Sequence, residues 1–118
     1  GLQYYDEFTH RIPREEATQI AEIVKSTCAD IDADLVAELC GSYRRGKPDC
    51  GDIDFLITHR VSDKMRTKLL RKLVNTLHDA SVITDDLTHK MTGEKHKYMG
   101  VCRLPGGLHR RIDIKMLP

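Results

Sequence analysis

Residues 52–57, Asp-Ile-Asp-Phe-Leu-Ile, constrain the fold more than any other stretch of this chain. Ile53, Phe55 and Ile57 recur at the period of a β-strand, so Asp52 and Asp54 leave such a strand from one face and the apolar side chains from the other. A short loop upstream lies Gly41-Ser42-Tyr43-Arg44-Arg45. Gly41 lets a backbone come close to a ligand, and Ser42 offers a hydroxyl donor. If Ser42 opens a helical turn, the free N–H groups of that turn face an anion. Arg45, three residues on, then lies on the same side and can add bidentate phosphate contacts. Two hard carboxylates beside a phosphate cradle are what Mg²⁺ takes, because it binds through one or two carboxylates plus substrate oxygens. The pattern predicts metal-dependent chemistry on a nucleoside triphosphate.

The third acid comes from the end of the chain. Arg110-Arg111-Ile112-Asp113-Ile114-Lys115 alternates as a half-buried strand does, with the isoleucines on one face and Arg111, Asp113 and Lys115 on the other. If that strand lies beside the one bearing Asp52 and Asp54, the three carboxylates converge and can hold two ions about 3.5–4 Å apart. Arg111 then stands where it can steady Asp113 or meet a nucleic-acid phosphate.

The remaining patterns place these strands in an α+β fold. Leu2, Tyr4, Tyr5 and Phe8 suit a short helix, and Ile12-Pro13 breaks the chain. Pro13 is expected as the first residue of a helix running to about Ala29, with Glu15 and Glu16 near its positive end and Ala17, Ile20, Val24 and Thr27 or Cys28 on one face. Leu35 to Cys40 reads as a strand and Asp52 to Thr58 as the next. Ser62 can cap a second helix carrying Met65, Leu69, Leu73 and Leu77. Ser81 to Thr88, Tyr98 to Leu104 and Arg111 to Leu117 complete a mixed, largely antiparallel sheet of about five strands, with two main helices packed on one face. Lys90 to Lys95 reads as a hairpin-like turn, and Pro105-Gly106-Gly107 as another.

At 118 residues the chain is one domain, residues 1–118. The net charge of +1 carries no global signal for nucleic acid. Three basic groups do stand out: Arg44, Arg45 and Lys47; Lys95, His96 and Lys97; His109, Arg110 and Arg111. Such runs are most often solvated surface, and His109 is expected there, but the first and third flank the acids. Cys28, Cys40, Cys50 and Cys102 show no metal-ligand spacing and suit free thiols in a reducing compartment, cytosol or nucleus. No apolar run approaches eighteen residues and no signal peptide is visible, so no membrane is expected as a partner. The tyrosines read as packing residues with hydrogen-bonded hydroxyls. The ends at Gly1 and Pro118 look cut, which predicts a fragment.

Five stretches together resemble the palm of the family X DNA polymerases. They are Arg11-Ile12-Pro13-Arg14-Glu15-Glu16-Ala17, Gly41-Ser42-Tyr43-Arg44-Arg45-Gly46, Cys50-Gly51-Asp52-Ile53-Asp54-Phe55-Leu56-Ile57-Thr58-His59, Tyr98-Met99-Gly100-Val101-Cys102-Arg103-Leu104-Pro105 and Arg110-Arg111-Ile112-Asp113-Ile114. The resemblance implies a nucleotidyltransferase-type palm that adds deoxynucleotides to a primer 3′-OH on gapped or primer-template DNA. By the same resemblance Asp52, Asp54 and Asp113 are the catalytic metal triad for two Mg²⁺ ions, with Mn²⁺ as substitute. Ser42 and Arg45, joined by Gly41, Gly51 and Arg11, hold the triphosphate, and Arg111 sits near the primer terminus. Nuclear base excision repair and end joining, with repair proteins as partners, are implied for the parent protein. The family's lyase domain and the C-terminal part that holds the nascent base pair have no counterpart in these residues, so weak or no polymerisation is expected from them alone. Ser42 after Gly41 and the short 90–97 connection resemble the template-dependent members. Two alternatives stay open: a nucleotidyltransferase of the same fold with another acceptor, and a non-catalytic nucleic-acid-binding palm.

Overall fold

A computed structural model describes residues 5–41, 44–46, 48–59, 66–87 and 97–116. After a one-turn helix, α1 (Tyr5–Phe8), the chain enters a two-residue strand, β1 (Ile12–Pro13), and then the long helix α2 (Arg14–Ile31). Pro13 caps α2 from outside with φ −58° and ψ 143°, rather than serving as its first helical residue. Glu15 and Glu16 occupy the first turn, where the helix dipole favours acids. Ala17, Ile20, Ala21, Val24 and Cys28 form the buried stripe of α2. The helix ends where Asp32 turns extended and gives its N–H to the Cys28 carbonyl.

The strands that follow are β2 (Leu35–Leu39), β3 (Asp49–Cys50), β4 (Ile53–His59), β5 (Ile83–Asp86), β6 (Lys97–Cys102) and β7 (Arg110–Met116), with α3 (Arg66–Asp79) between β4 and β5. Five of them form one sheet in the order β2-β4-β7-β6-β5. Only β4 and β7 run parallel, so the sheet is mixed and largely antiparallel, as expected. The period-two alternation of β4 buries Ile53, Phe55 and Ile57, and that of β7 buries Ile112, Ile114 and Met116. Both sets belong to the single core that includes the buried faces of α2 and α3. The helices thus cover one face of the sheet and leave the other for Asp54, Asp113 and their neighbours.

Some boundaries differ from expectation. Asp52 stands one residue before β4, exposed, because the ladder to β7 starts at Ile53. The buried stripe of α3 is Leu70, Leu73, Val74 and Leu77, centred one position beyond the expected Leu69. Ser62, Met65 and the turn at 90–95 lie outside the described residues. The β1–β3 ladder, Ile12 opposite Cys50 and Pro13 opposite Asp49, was not expected. Two residues are too short to show a period, and Pro13 cannot donate to a ladder, so the proline reads as a break when it is an edge.

Cys28, Cys50 and Cys102 are buried free thiols and Cys40 is a half-buried one. Burial pushes the thiol of Cys28 up to about 11 and that of Cys102 to about 12. Tyr98 is a packing residue: its ring fills the space that a side chain at Gly100 would need, and its hydroxyl donates to Asp86 Oδ1.

Candidate active site

Asp54 and Asp113 are Cα partners across the parallel β4–β7 pair. Side chains directly opposite in a ladder share a face. The two carboxylates therefore stand side by side on the uncovered face and line one cavity of about 190 Å³ together with Lys97 and Lys115. The carboxyl of Asp54 is held above its ordinary range, first by burial and then by the charges of Asp113 and Asp52, with Lys97 and Arg111 partly opposing. Asp52, though exposed, is thus close enough to act on Asp54. Three acids in one place raise the free energy of the ionised form unless a cation accompanies them.

Gly41 supplies the wall beside this pair. Its φ is +70°, and a Cβ there would stand 3.1 Å from Asp54 Oδ2. The N–H of Arg45 reaches the Gly41 carbonyl at 3.3 Å, tying Arg45 back to the start of this loop. Arg44 and Arg45 are exposed, and Arg44 approaches Glu38 at 3.9 Å, a surface pair of little energetic weight. Ser42 lies outside the described residues.

Arg11 and Gly51 are brought together by the β1–β3 ladder. A Cβ on Gly51 would lie 3.3 Å from Arg11 Nη1. The same guanidinium donates through Nε and Nη2 to Asp49 Oδ1, both at 2.9 Å. Arg111, two residues before Asp113 on the same face, gives Nη2 to Asp113 Oδ1 at 3.2 Å. Its Nε is buried without a hydrogen-bond partner. The structure therefore gathers Asp54, Asp113, Arg111, Asp52 and Gly41 on one side, with Arg11 and Gly51 along the neighbouring ribbon.

The donor set fits a divalent cation of the Mg²⁺ type. It consists of carboxylate oxygens, the hard donors that Mg²⁺ prefers, and their mutual repulsion is what a cation would relieve. Among the described residues, however, the group whose ligand atoms all lie within 4.8 Å of one another is a different one: Asp32, Asp34 and His59. It sits at the far end of β4 from Asp54. No local pattern marks it, since Asp32 and Asp34 fall between a helix and a strand and His59 lies twenty-five residues beyond Asp34. Only the β2–β4 register, Leu35 opposite His59, brings them together. A wider cavity of about 280 Å³ is lined by Arg14, Lys25, Arg44 and Glu38, mostly cationic and unsuited to a metal.

Two other expectations are corrected. His109 is not at the surface: its side chain is 14% exposed and its backbone N–H and Nδ1 lie 2.8 and 3.0 Å from Glu7 Oε1. Arg110, read as part of a solvated run, is buried and paired with Glu16, because the alternation of β7 turns it toward the core.

Residues 11–118 match the family model described as DNA polymerase beta palm. DNA polymerase lambda of Rattus norvegicus is 42% identical over 121 residues, covering 100% of this chain and 21% of the relative. DNA polymerase lambda of Arabidopsis thaliana is 34% identical over 125 residues, covering 100% of this chain and 23% of that protein. DNA nucleotidylexotransferase of Ambystoma mexicanum is 30% identical over 101 residues, covering 76% and 20%. The chain thus spans about a fifth of the length of the relatives it matches. With a matching model over almost the whole chain, and the acids on the open face of a mixed sheet, the chain belongs to the DNA polymerase beta palm family of the family X polymerases.

Proposed function

We propose that residues 1–118 form the palm of a DNA-directed DNA polymerase, the part that joins a deoxynucleotide to a primer 3′-OH with loss of pyrophosphate. The observation that carries this reading is the pairing of Asp54 with Asp113 across adjacent parallel strands, with Asp52 acting on the same carboxyl. Asp52 and Asp54 would hold two Mg²⁺ ions, and Asp113 the one nearer the primer. Bound there, the ions would supply charge neutralisation for the attacking and leaving oxygens of an in-line displacement. The chain's own residues supply the rest. Arg11 and Arg45, with Ser42 and the Gly51 backbone, would bind and orient the triphosphate, and Gly41 keeps the space beside Asp54 clear. Arg111 holds the Asp113 carboxylate in place for the primer hydroxyl's proton. Gapped DNA and deoxynucleoside triphosphates would be the substrates, and nuclear gap filling in base excision repair and end joining the setting, with repair proteins as partners.

The nucleotidylexotransferase relative keeps a second reading in view, in which an unpaired primer end is extended. Ser42 and the short 90–97 connection favour the templated one. Single-nucleotide insertion on a one-nucleotide-gapped duplex tests both in the complete protein that contains this chain. Wild type should insert only the complementary nucleotide with Mg²⁺, and should fail with EDTA or as Asp113→Ala. Robust insertion by Asp113→Ala would sink the metal assignment, and extension of single strands without a template would favour the second reading.

A further inference from the structure

Arg110 is the one charged residue buried among those described, 4% exposed. Its Nε and Nη2 donate to Glu16 Oε2 and Oε1 at 2.7 and 3.0 Å. Its Nη1 donates to the carbonyls of His10 and Arg11, both at 3.3 Å. One planar guanidinium thus ties together the start of β7, the first turn of α2 and the backbone just before β1. The alternation of β7 places Arg110 on the covered face with Ile112, while Arg111 and Asp113 stand on the open one. The backbone held from below at Arg11 carries the side chain that lies over Gly51.

A buried ion pair is weak evidence for stability, since apolar side chains of the same volume often serve as well. Apolar side chains cannot hold two carbonyls at hydrogen-bonding distance. We infer that Arg110 and Glu16 are positioning residues: they lock the backbone of Arg11 to the strand of Asp113, and so fix the triphosphate-binding arginine relative to the metal-binding acids. This inference rests on the polymerase reading for its consequence in turnover, but its geometric content does not.

Arg110→Lys in the complete protein tests it, because lysine keeps the charge opposite Glu16 and lacks the fork that reaches both carbonyls. Two readouts are needed. The KM for the incoming nucleotide should rise about tenfold with kcat within about threefold, the pattern of lost binding rather than lost chemistry. In an Arg11→Ala background the same substitution should raise KM no further, since the two act as one unit. Independently of turnover, the Arg14 amide, which bonds the Pro48 carbonyl at 2.9 Å, should exchange about tenfold faster relative to the Cys40 amide, which bonds the Asp54 carbonyl at 2.8 Å. Should Arg110→Lys fail to fold, Glu16→Gln is the second variant, with smaller shifts in the same direction. A KM increase of equal factor in both backgrounds, or an unchanged exchange ratio, overturns the proposal. If the wild type inserts nothing, the polymerase reading fails alone and the exchange ratio still decides the positioning.

Discussion

The two ends of β4 carry the same chemistry and resolve it in opposite ways. At its C-terminal end, His59 Nε2 lies 3.0 Å from Asp32 Oδ2, and the Asp34 N–H donates to Asp32 Oδ1 at 2.9 Å. That Asp34 N–H, and then His59, hold the Asp32 carboxyl below its usual range. At the N-terminal end, burial and then two neighbouring acids hold Asp54 above it. The neighbours of Asp32 favour its charged form and those of Asp54 oppose it. Asp32, Asp34 and His59 are close because the Asp34 amide and His59 both bond the Asp32 carboxylate, whereas the acids around Asp54 repel.

Substitutions at the two ends should diverge most in turnover. Asp54→Asn should lower gap insertion by about a thousandfold or more, since removing one member of a catalytic unit forfeits most of its effect. Asp32→Asn should leave insertion within about twofold in the same assay. Comparable losses in the two variants would erase the distinction and turn attention to the Asp32–His59 end.

A smaller contrast is available in the glycines beside the site. Gly41 and Gly46 both have positive φ, +70° and +82°, but only Gly41 has a carboxylate oxygen where its Cβ would go. Alanine at either should cost about 1–2 kcal/mol in backbone strain. Only Gly41→Ala should also displace Asp54, lowering kcat/KM about tenfold. Chemical denaturation and insertion kinetics on both variants separate the two effects.

The smallest effects should appear in thermal unfolding in EDTA, with opposite signs. Because the folded pKa of Asp32 is lowered, its contribution is present above the ordinary value of 3.8 and is lost as pH falls through the folded value. Asp32→Asn should therefore lower Tm at pH 7, with the difference shrinking in acid. For Asp54 the folded pKa is raised, so a penalty appears as pH rises through 3.8 and is complete above the folded value. Asp54→Asn should raise Tm by about a few degrees at pH 7, the usual stabilisation on removing a strained functional group. Mg²⁺ should raise the wild-type Tm and leave Asp54→Asn nearly unmoved.

The alternation of residues 53–57 and 112–116 was legible because strand period and burial are local properties, and both strands emerged facing as expected. The helix stripes were legible for the same reason. The β1–β3 ladder was not, being too short to repeat, and with it went the approach of Arg11 to Gly51. Charge alone misled at His109 and Arg110: a run of basic residue types looks solvated, yet strand alternation sends Arg110 inward to Glu16, ninety-four residues earlier in sequence.

By itself, then, the sequence determined which faces of β4 and β7 are apolar, that three acids project from open positions, and that glycines stand where backbone must pass closely. These follow from residue type and a period of two or 3.6. Tertiary structure decided that β4 and β7 are parallel neighbours with Asp54 opposite Asp113, and that one buried arginine joins β7 to the distant stretch from His10 to Glu16. It also decided which acids have neighbours that favour their charge and which have neighbours that oppose it. Those outcomes depend on strand order, register and the direction of each carboxylate's neighbours, which no local pattern encodes.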